Sequence, residues 1–377
     1  MTRRLKKISI LFGVMAILFV LLPLSVYMPP VQRAVINYAE QWVGEYTPMG
    51  LSVERFSLKF PLRLALHDVV LTTAECDTMV AAGELQADVA LLPLISQNVV
   101  VRNISLHDAH ASYITPDSSI NLIAEIGRVA LSDGKIGLSD NKVSVGAIVL
   151  DNSAVELMYR SLPDTVAQDT SATQAWNVEL ESLHMSHVDF TVAMPGVFDT
   201  LQVNMGDGRL VEANISLDRQ SVDVQAVEIV QGNYRYVAYP LNEESTSTEV
   251  DMPADTTSSQ PWDVRVGKVN MTDNSVAYIT STAQPASGLD FTHIEASSIN
   301  LQLSDIYNRG SELHLSLDSL SMYERSGLCI TQAQCRFAMT EAGEITLSDF
   351  VLKTPFSDLS ASADVDMSIL ENNADAR

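Results

Sequence analysis

With 377 residues, the chain is long enough for a large core, laid out as one elongated array or as several domains. A net charge of −24, with no basic patch carrying interleaved aromatics, speaks against nucleic acid as a partner. Helical patterning is absent beyond residue 46 while Val, Leu, Ile, Ser and Asp are plentiful, which argues against most α/β catalytic folds.

Residues 1–7 form a basic tail with Arg3, Arg4, Lys6 and Lys7. Ile8 to Tyr27 follow without a charge, long enough at 1.5 Å per residue to cross a bilayer core of roughly 30 Å. By the positive-inside rule the tail is expected in the cytoplasm and the bulk beyond the membrane. A cleaved signal peptide competes, but the apolar run is longer than a usual signal core. Met28-Pro29-Pro30 also offers no small-residue cleavage site, so an uncleaved transmembrane anchor over 8–27 is favoured. Residues 30–46 predict an amphipathic helix with Val31, Ala34, Val35, Tyr38, Ala39, Trp42, Val43 and Tyr46 on one stripe. Its polar face has no lysine-rich strip, so an end-cap packed on the β-array is preferred to an interfacial helix.

From Leu51 the pattern is β, with residues 51–160 as a first region. Short strands are expected at Leu51–Phe56, Leu62–Leu66, Val69–Leu71 and Leu85–Leu91. One stretch then appears three times. Val99, Val101, Ile104 and Leu106 alternate, slip by one residue and alternate again. Val178, Leu180, Leu183 and Met185 do the same, as do Val264, Val266, Val269 and Met271. A slip would turn later side chains onto the wrong face, so it marks a β-bulge or tight bend. Ile120 to Tyr159, Phe198 to Tyr239 and Leu289 to Phe337 each read as several short alternating strands. The copies lie 79 and 86 residues apart, so each unit holds several strands. Polar linkers at 161–175 and 241–261 precede Trp176 and Trp262 and separate a second repeat, 176–240, from a third, 262–377.

No nucleophile elbow, phosphate-binding loop, dinucleotide-binding glycine pattern or His-Glu-x-x-His occurs, so an enzyme is the least supported reading and no cofactor or metal is implied. His107/His110 and His184/His187 are spaced i, i+3, which places partners on opposite strand faces, and they read as turn-tip residues. Cys76, Cys329 and Cys335 read as buried apolar thiols, and Asp364 and Asp366 as solvated carboxylates on one strand face. Alternation alone fits an apolar groove or a closed sandwich equally.

The ordered series Val53-Glu-Arg55-Phe56-Ser-Leu58, Phe60-Pro61-Leu62-Arg-Leu64, Leu66-His-Asp-Val69, Asp77-Thr78-Met79 and Leu91-Leu92-Pro93-Leu94 resembles the N-terminal region of AsmA-like proteins. Within them it is most similar to the TamB (translocation and assembly module) branch of Bacteroidetes, over residues 1 to 115 and only in architecture beyond. The resemblance implies an all-β fold: an elongated, curled repeat β-sheet with an apolar groove, behind a transmembrane helix and a short amphipathic helix. It further implies a single-pass inner-membrane protein with its bulk in the periplasm, conducting phospholipid between the two membranes. The alternative is an outer-membrane protein assembly or secretion factor that pairs strands with clients. An outer-membrane barrel partner is expected for the family, although the contact domain for it has no counterpart here. The twelve apolar residues of the three copies are the groove candidates, with Glu179, Glu181 and Arg265 outside.

Overall fold

The computed structural model describes residues 28–47, 49–59, 63–73, 77–90, 98–115, 120–137, 141–159, 176–193, 200–239, 261–280 and 284–366. One helix, α1 (Pro29–Tyr46), precedes fifteen strands. These are β1 (Met49–Lys59), β2 (Arg63–Thr73), β3 (Thr78–Val89), β4 (Asn98–Ile114), β5 (Ile120–Gly137), β6 (Lys142–Tyr159), β7 (Asn177–Ala193) and β8 (Thr200–Ser216). The rest are β9 (Ser221–Ala238), β10 (Asp263–Thr280), β11 (His293–Arg309), β12 (Glu312–Glu324), β13 (Cys329–Met339), β14 (Glu344–Lys353) and β15 (Asp358–Asp366). They form one mixed sheet whose spatial order is the chain order, open between β1 and β15.

The expected single-pass inner-membrane topology is overturned: among the described residues there is one helix, and none is long and apolar enough to cross a membrane. The expected span, 8–27, lies outside the described residues, as does Cys76.

Neighbouring strands pair antiparallel except β6–β7 and β9–β10, which pair parallel. A parallel join needs a connection of a dozen or more residues to return to the starting end. The two polar linkers fall at these joins, between Tyr159 and Asn177 and between Ala238 and Asp263. As a result β4, β7 and β10 run the same way, and the two parallel joins divide the sheet into antiparallel runs of six, three and six strands, β1–β6, β7–β9 and β10–β15.

The strands are long, 17 or 18 residues from β4 to β11, where five or six is usual. Each is bent twice. Along one line across the sheet, Asp68, Asp108, Asn152, His187, Gln231, Asp273 and Ser298 have φ between 49° and 55°. Along a second line Asp133, Glu212 and Asp305 have φ of 54°, 47° and 52°. Direct pairing lapses at these residues while the register on either side holds: between β4 and β5 only Arg102/Asp133 and Asp108/Gly127 drop out. The two lines are six residues apart within a strand, as at Gly127 and Asp133, Gly146 and Asn152, Glu181 and His187, or Gly267 and Asp273. The expected slip is therefore a single-residue bend with unchanged register. True register shifts do occur elsewhere, between β2 and β3, at Arg102 between β3 and β4, and from β10 to β15.

A left-handed residue displaces its carbonyl toward the neighbouring strand, and a glycine stands there to receive it. A Cβ on Gly127 would lie 2.5 Å from the carbonyl oxygen of left-handed Asn152.

At the β1 edge, α1 packs through Gln32, Ile36, Ala39, Glu40 and Val43, and only partly through the stripe that periodicity marks. Gln32 Nε2 donates to the Leu58 carbonyl at 3.0 Å, and Glu40 Oε1 accepts from Val53 N–H at 3.1 Å. Val35, Tyr38, Trp42 and Tyr46 stay exposed, with the Trp42 and Tyr46 rings 5.4 Å apart.

Gly127→Ala sets a methyl against backbone, where no side-chain rotation relieves it. It is expected to lower stability by about 1–3 kcal/mol, read as a lower urea midpoint. Gly44→Ala is the control: it meets nothing within 4 Å and is expected to hold or raise the midpoint.

Candidate functional site

Every bend shifts the side-chain alternation by one, so apolar residues step by two within a segment and by three across a bend. In β7 the series is Val178, Leu180, Leu183, Met185, Val188, Phe190, Val192. In β5 it is Ile120, Leu122, Ala124, Ile126, Val129, Leu131, Gly134, Ile136. Because the bends are aligned, the series of successive strands meet in register. In the segment between the bends, one row runs Leu58, Leu64, Ala87, Ile104, Leu131, Ile148, Leu183, Leu210, Val227, Val269, Leu303, Leu317, each directly opposite the next. A second row runs beside it through Phe56, Leu66, Leu85, Leu106, Val129, Leu150, Met185, Gly208, Ile229, Met271, Leu301 and Leu320. Apart from buried Gly208, these side chains are half-buried.

All twelve candidates fall into four such rows. Ile104, Leu183 and Val269 share the first, and Leu106, Met185 and Met271 the second. Val101, Leu180 and Val266 lie beyond the second bend line, in a row through Val145, Ala213 and Val224. Val99, Val178 and Val264 lie in the next, with Ile136, Val143, Ile215 and Val222. The residues of β5, β6, β8 and β9 complete the rows and are absent from the sequence-derived set. The signal for them is the same three-residue step, visible in Val143, Val145, Ile148 and in Val222, Val224, Val227.

Several of the most buried apolar residues sit beside the bends: Val101, Ala109, Val145, Val188, Ala213 and Val224, between 5% and 9% exposed. All are on the apolar phase, and all are small or β-branched. The left-handed residues next to them are exposed. The opposite phase is polar and carries ion pairs, among them Arg63–Asp88 at 3.2 Å, Arg128–Asp151 at 3.3 Å, Lys142–Glu179 at 2.7 Å and His184–Asp207 at 2.7 Å. Exposed pairs of this kind contribute little to stability, so they identify the solvent side more than they hold it.

The histidine reading needs correction. His107, His110, His184 and His187 lie mid-strand in β4 and β7, not at turn tips. Asp108 is left-handed, so the i, i+3 pair His107/His110 returns to one face, the polar one; His110 Nδ1 lies 2.6 Å from Glu125. Among the described residues no group of three His, Cys, Asp or Glu side chains could hold a metal ion. Cys329 and Cys335 are free, half-buried thiols in β13, and burial pushes the Cys335 thiol above its ordinary range.

Buried polar side chains interrupt the apolar phase at a few positions, among them Ser153, Asn274 and Glu324. Asn274, 1% exposed, fills the gap where the parallel β9–β10 ladder lapses. Its Oδ1 accepts from Gly232 N–H at 2.8 Å and its Nδ2 donates to the Ile229 carbonyl at 3.3 Å. Desolvation raises the pKa of the neighbouring Tyr234 phenol, whose buried hydroxyl has no hydrogen-bond partner among the described residues. Beyond it Tyr236 and Tyr278 stack at 5.8 Å. Asn274→Ala leaves a buried amide unpaired, at a cost of about 1–3 kcal/mol. Hydrogen exchange at the Gly232 amide is expected to quicken by at least about tenfold, while exchange in β4 and β5 stays unchanged.

No protein-family model, curated protein or solved structure matches the chain, so the likeness to AsmA-like proteins stands on the residue series alone.

Proposed function

We propose that this protein binds the hydrocarbon chains of phospholipids along the apolar face of its sheet, that face lining an open trough, and conducts them from strand to strand. The observation that carries the reading is the pair of apolar rows running unbroken from β1 to β12, half-buried rather than buried. A sheet face of this kind ordinarily requires a second layer. Among the described residues no sheet or helix lies over it: the strands belong to one sheet, and the helix contacts β1.

Burial beside the bends supports the trough shape. A sheet that folds toward one face crowds the residues at the inside of the corner and opens those outside. The crowded ones here, Val101, Ala109, Val145, Val188, Ala213 and Val224, are all on the apolar phase. Eleven steps of 4.8 Å make the floor about 53 Å long. Each methylene laid on it and withdrawn from water contributes about 0.8 kcal/mol, with no directional bond to break as a chain slides.

The test is photo-crosslinking of the full chain mixed with vesicles of radiolabelled phosphatidylethanolamine, with the reactive group at Leu183 or at His184. The first lies on the apolar phase, the second on the polar one. Lipid adducts are expected at position 183 in at least about tenfold excess over 184. A position 183 that yields no adduct and is protected from a water-soluble label would mean a closed core and end the reading.

A further inference from the structure

Strands β11 to β15 end, on one side, in three hydrogen-bonded turns with apolar tips. The segment 284–292, ahead of β11, is drawn around buried Asp290. Its carboxylate accepts from Ala286 N–H at 2.8 Å, Thr292 N–H at 2.9 Å and the Thr292 hydroxyl at 2.6 Å. Leu289 and Phe291, on either side of Asp290, stand out in water, Phe291 74% exposed. The turn between β12 and β13 closes on buried Glu324, which accepts from Ser326 N–H at 2.7 Å, and beside it Tyr323 is exposed. Between β14 and β15, Thr354 Oγ1 accepts from the amides of Phe356 at 3.2 Å and Ser357 at 3.0 Å, and Phe356 is 96% exposed. At their other ends the same strands turn through Gly310-Ser311 and Thr340-Glu341-Ala342-Gly343, with no large apolar side chain. A group of large apolar side chains held in water by a fixed backbone marks an interaction surface.

We propose that these tips dock on the surface of a zwitterionic phospholipid bilayer. Leu289, Phe291 and Phe356 enter the boundary between headgroups and acyl chains, and Tyr323 lies at headgroup level. Three ladder steps separate β11 from β14, so the tips spread over about 14 Å along one side of the sheet. Single side chains projecting from separate turns suit a fluid surface that closes round each one. A protein partner would need a matching socket for every tip. Aromatic rings favour that boundary, and Tyr can keep its hydroxyl in the wet layer. Charge decides the headgroup. Around the tips Arg325 pairs with Glu295 at 3.9 Å and Lys353 stands opposite Asp358, while the Asp290 and Glu324 carboxylates are turned inward to backbone amides. These groups leave no positive excess to seek an anionic surface, and the whole chain, at −24, is repelled by one. The docking uses no residue of the apolar rows and does not depend on lipid binding there.

The test places a photo-reactive phenylalanine at position 356 or, as the control, at position 311, in the full chain mixed with vesicles of radiolabelled phosphatidylcholine. Lipid adducts at 356 are expected in at least about tenfold excess over 311. Leu289→Ser combined with Phe291→Ser is expected to lower the yield at 356 at least about fivefold, since the tips enter together. With the reactive group at 291 instead, Phe356→Ser serves as the second variant. Adding phosphatidylglycerol to the vesicles at low salt is expected to lower the yield as well. Equal yields at 356 and 311, no lipid adduct at 356, or a yield indifferent to these substitutions overturns the proposal. Adducts at 356 to a second copy of the chain, without lipid, overturn the bilayer as partner. Lipid adducts at Leu183 with none at 356 refute the docking and leave the trough standing, and adducts at 356 alone do the reverse.

Discussion

The constraint on which the rest depends is the alignment of bends across a single hydrogen-bonded layer. A strand can turn sharply only by giving up a ladder pair, and its neighbour must turn at the same height or lose many more. On the first line the chain meets this by putting one left-handed residue or one glycine at the same rung of each strand from β2 to β11. Asp108, Gly127 and Asn152 stand side by side on the first line, as do Asp133 and Gly146 on the second. Non-glycine residues in this conformation each cost roughly 1–2 kcal/mol, least for Asp and Asn. The sheet carries that cost many times, which is intelligible if the bends decide which face is enclosed.

A one-layer sheet also alters what stabilises the fold. With few fully buried side chains, cohesion comes from the ladder itself and from cross-strand apolar pairs, each contributing roughly 0.2–1 kcal/mol. Interactions are confined to adjacent strands, since every element touches mainly its sequence neighbours. Stability then behaves as a sum of neighbour terms, as in repeat proteins, and local opening is expected at the ends before the middle. The long, regular strands β4 to β11 form the centre, and the shorter strands lie outside it.

Much of this was legible in the residues. The one-residue slip at Glu181 and Gly267 is where the second bend line crosses β7 and β10, and the polar linkers mark the two parallel joins. The length of the strands was not. Ser132-Asp133-Gly134 and Asp151-Asn152-Ser153 have the chemistry of turns, because Asp, Asn and Gly serve a turn for the same reason they serve a bend: they tolerate positive φ. Such signals broke 18-residue strands into short ones on paper. The site residues of β5, β6, β8 and β9 were lost with them. Nor does periodicity reveal which side of α1 packs, since Gln32 and Glu40 are drawn inward by unpaired backbone groups of β1.

The β1 edge is closed by the helix that precedes it. α1 spends two long polar side chains on the backbone of β1, and polar groups so used belong to a terminus that is meant to stay closed. The apolar rows begin under that cap and run through both parallel joins without a break, which three independent domains would have no reason to keep in register. Parallel pairing across the joins preserves strand direction, and the 2-3-2 spacing of apolar residues reads the same in both directions, so parallel and antiparallel ladders alike carry the rows. The low-complexity linkers and the strict pattern are thus two parts of one solution: the linker lets the chain return across the sheet at a parallel join, and the pattern then extends a single apolar face.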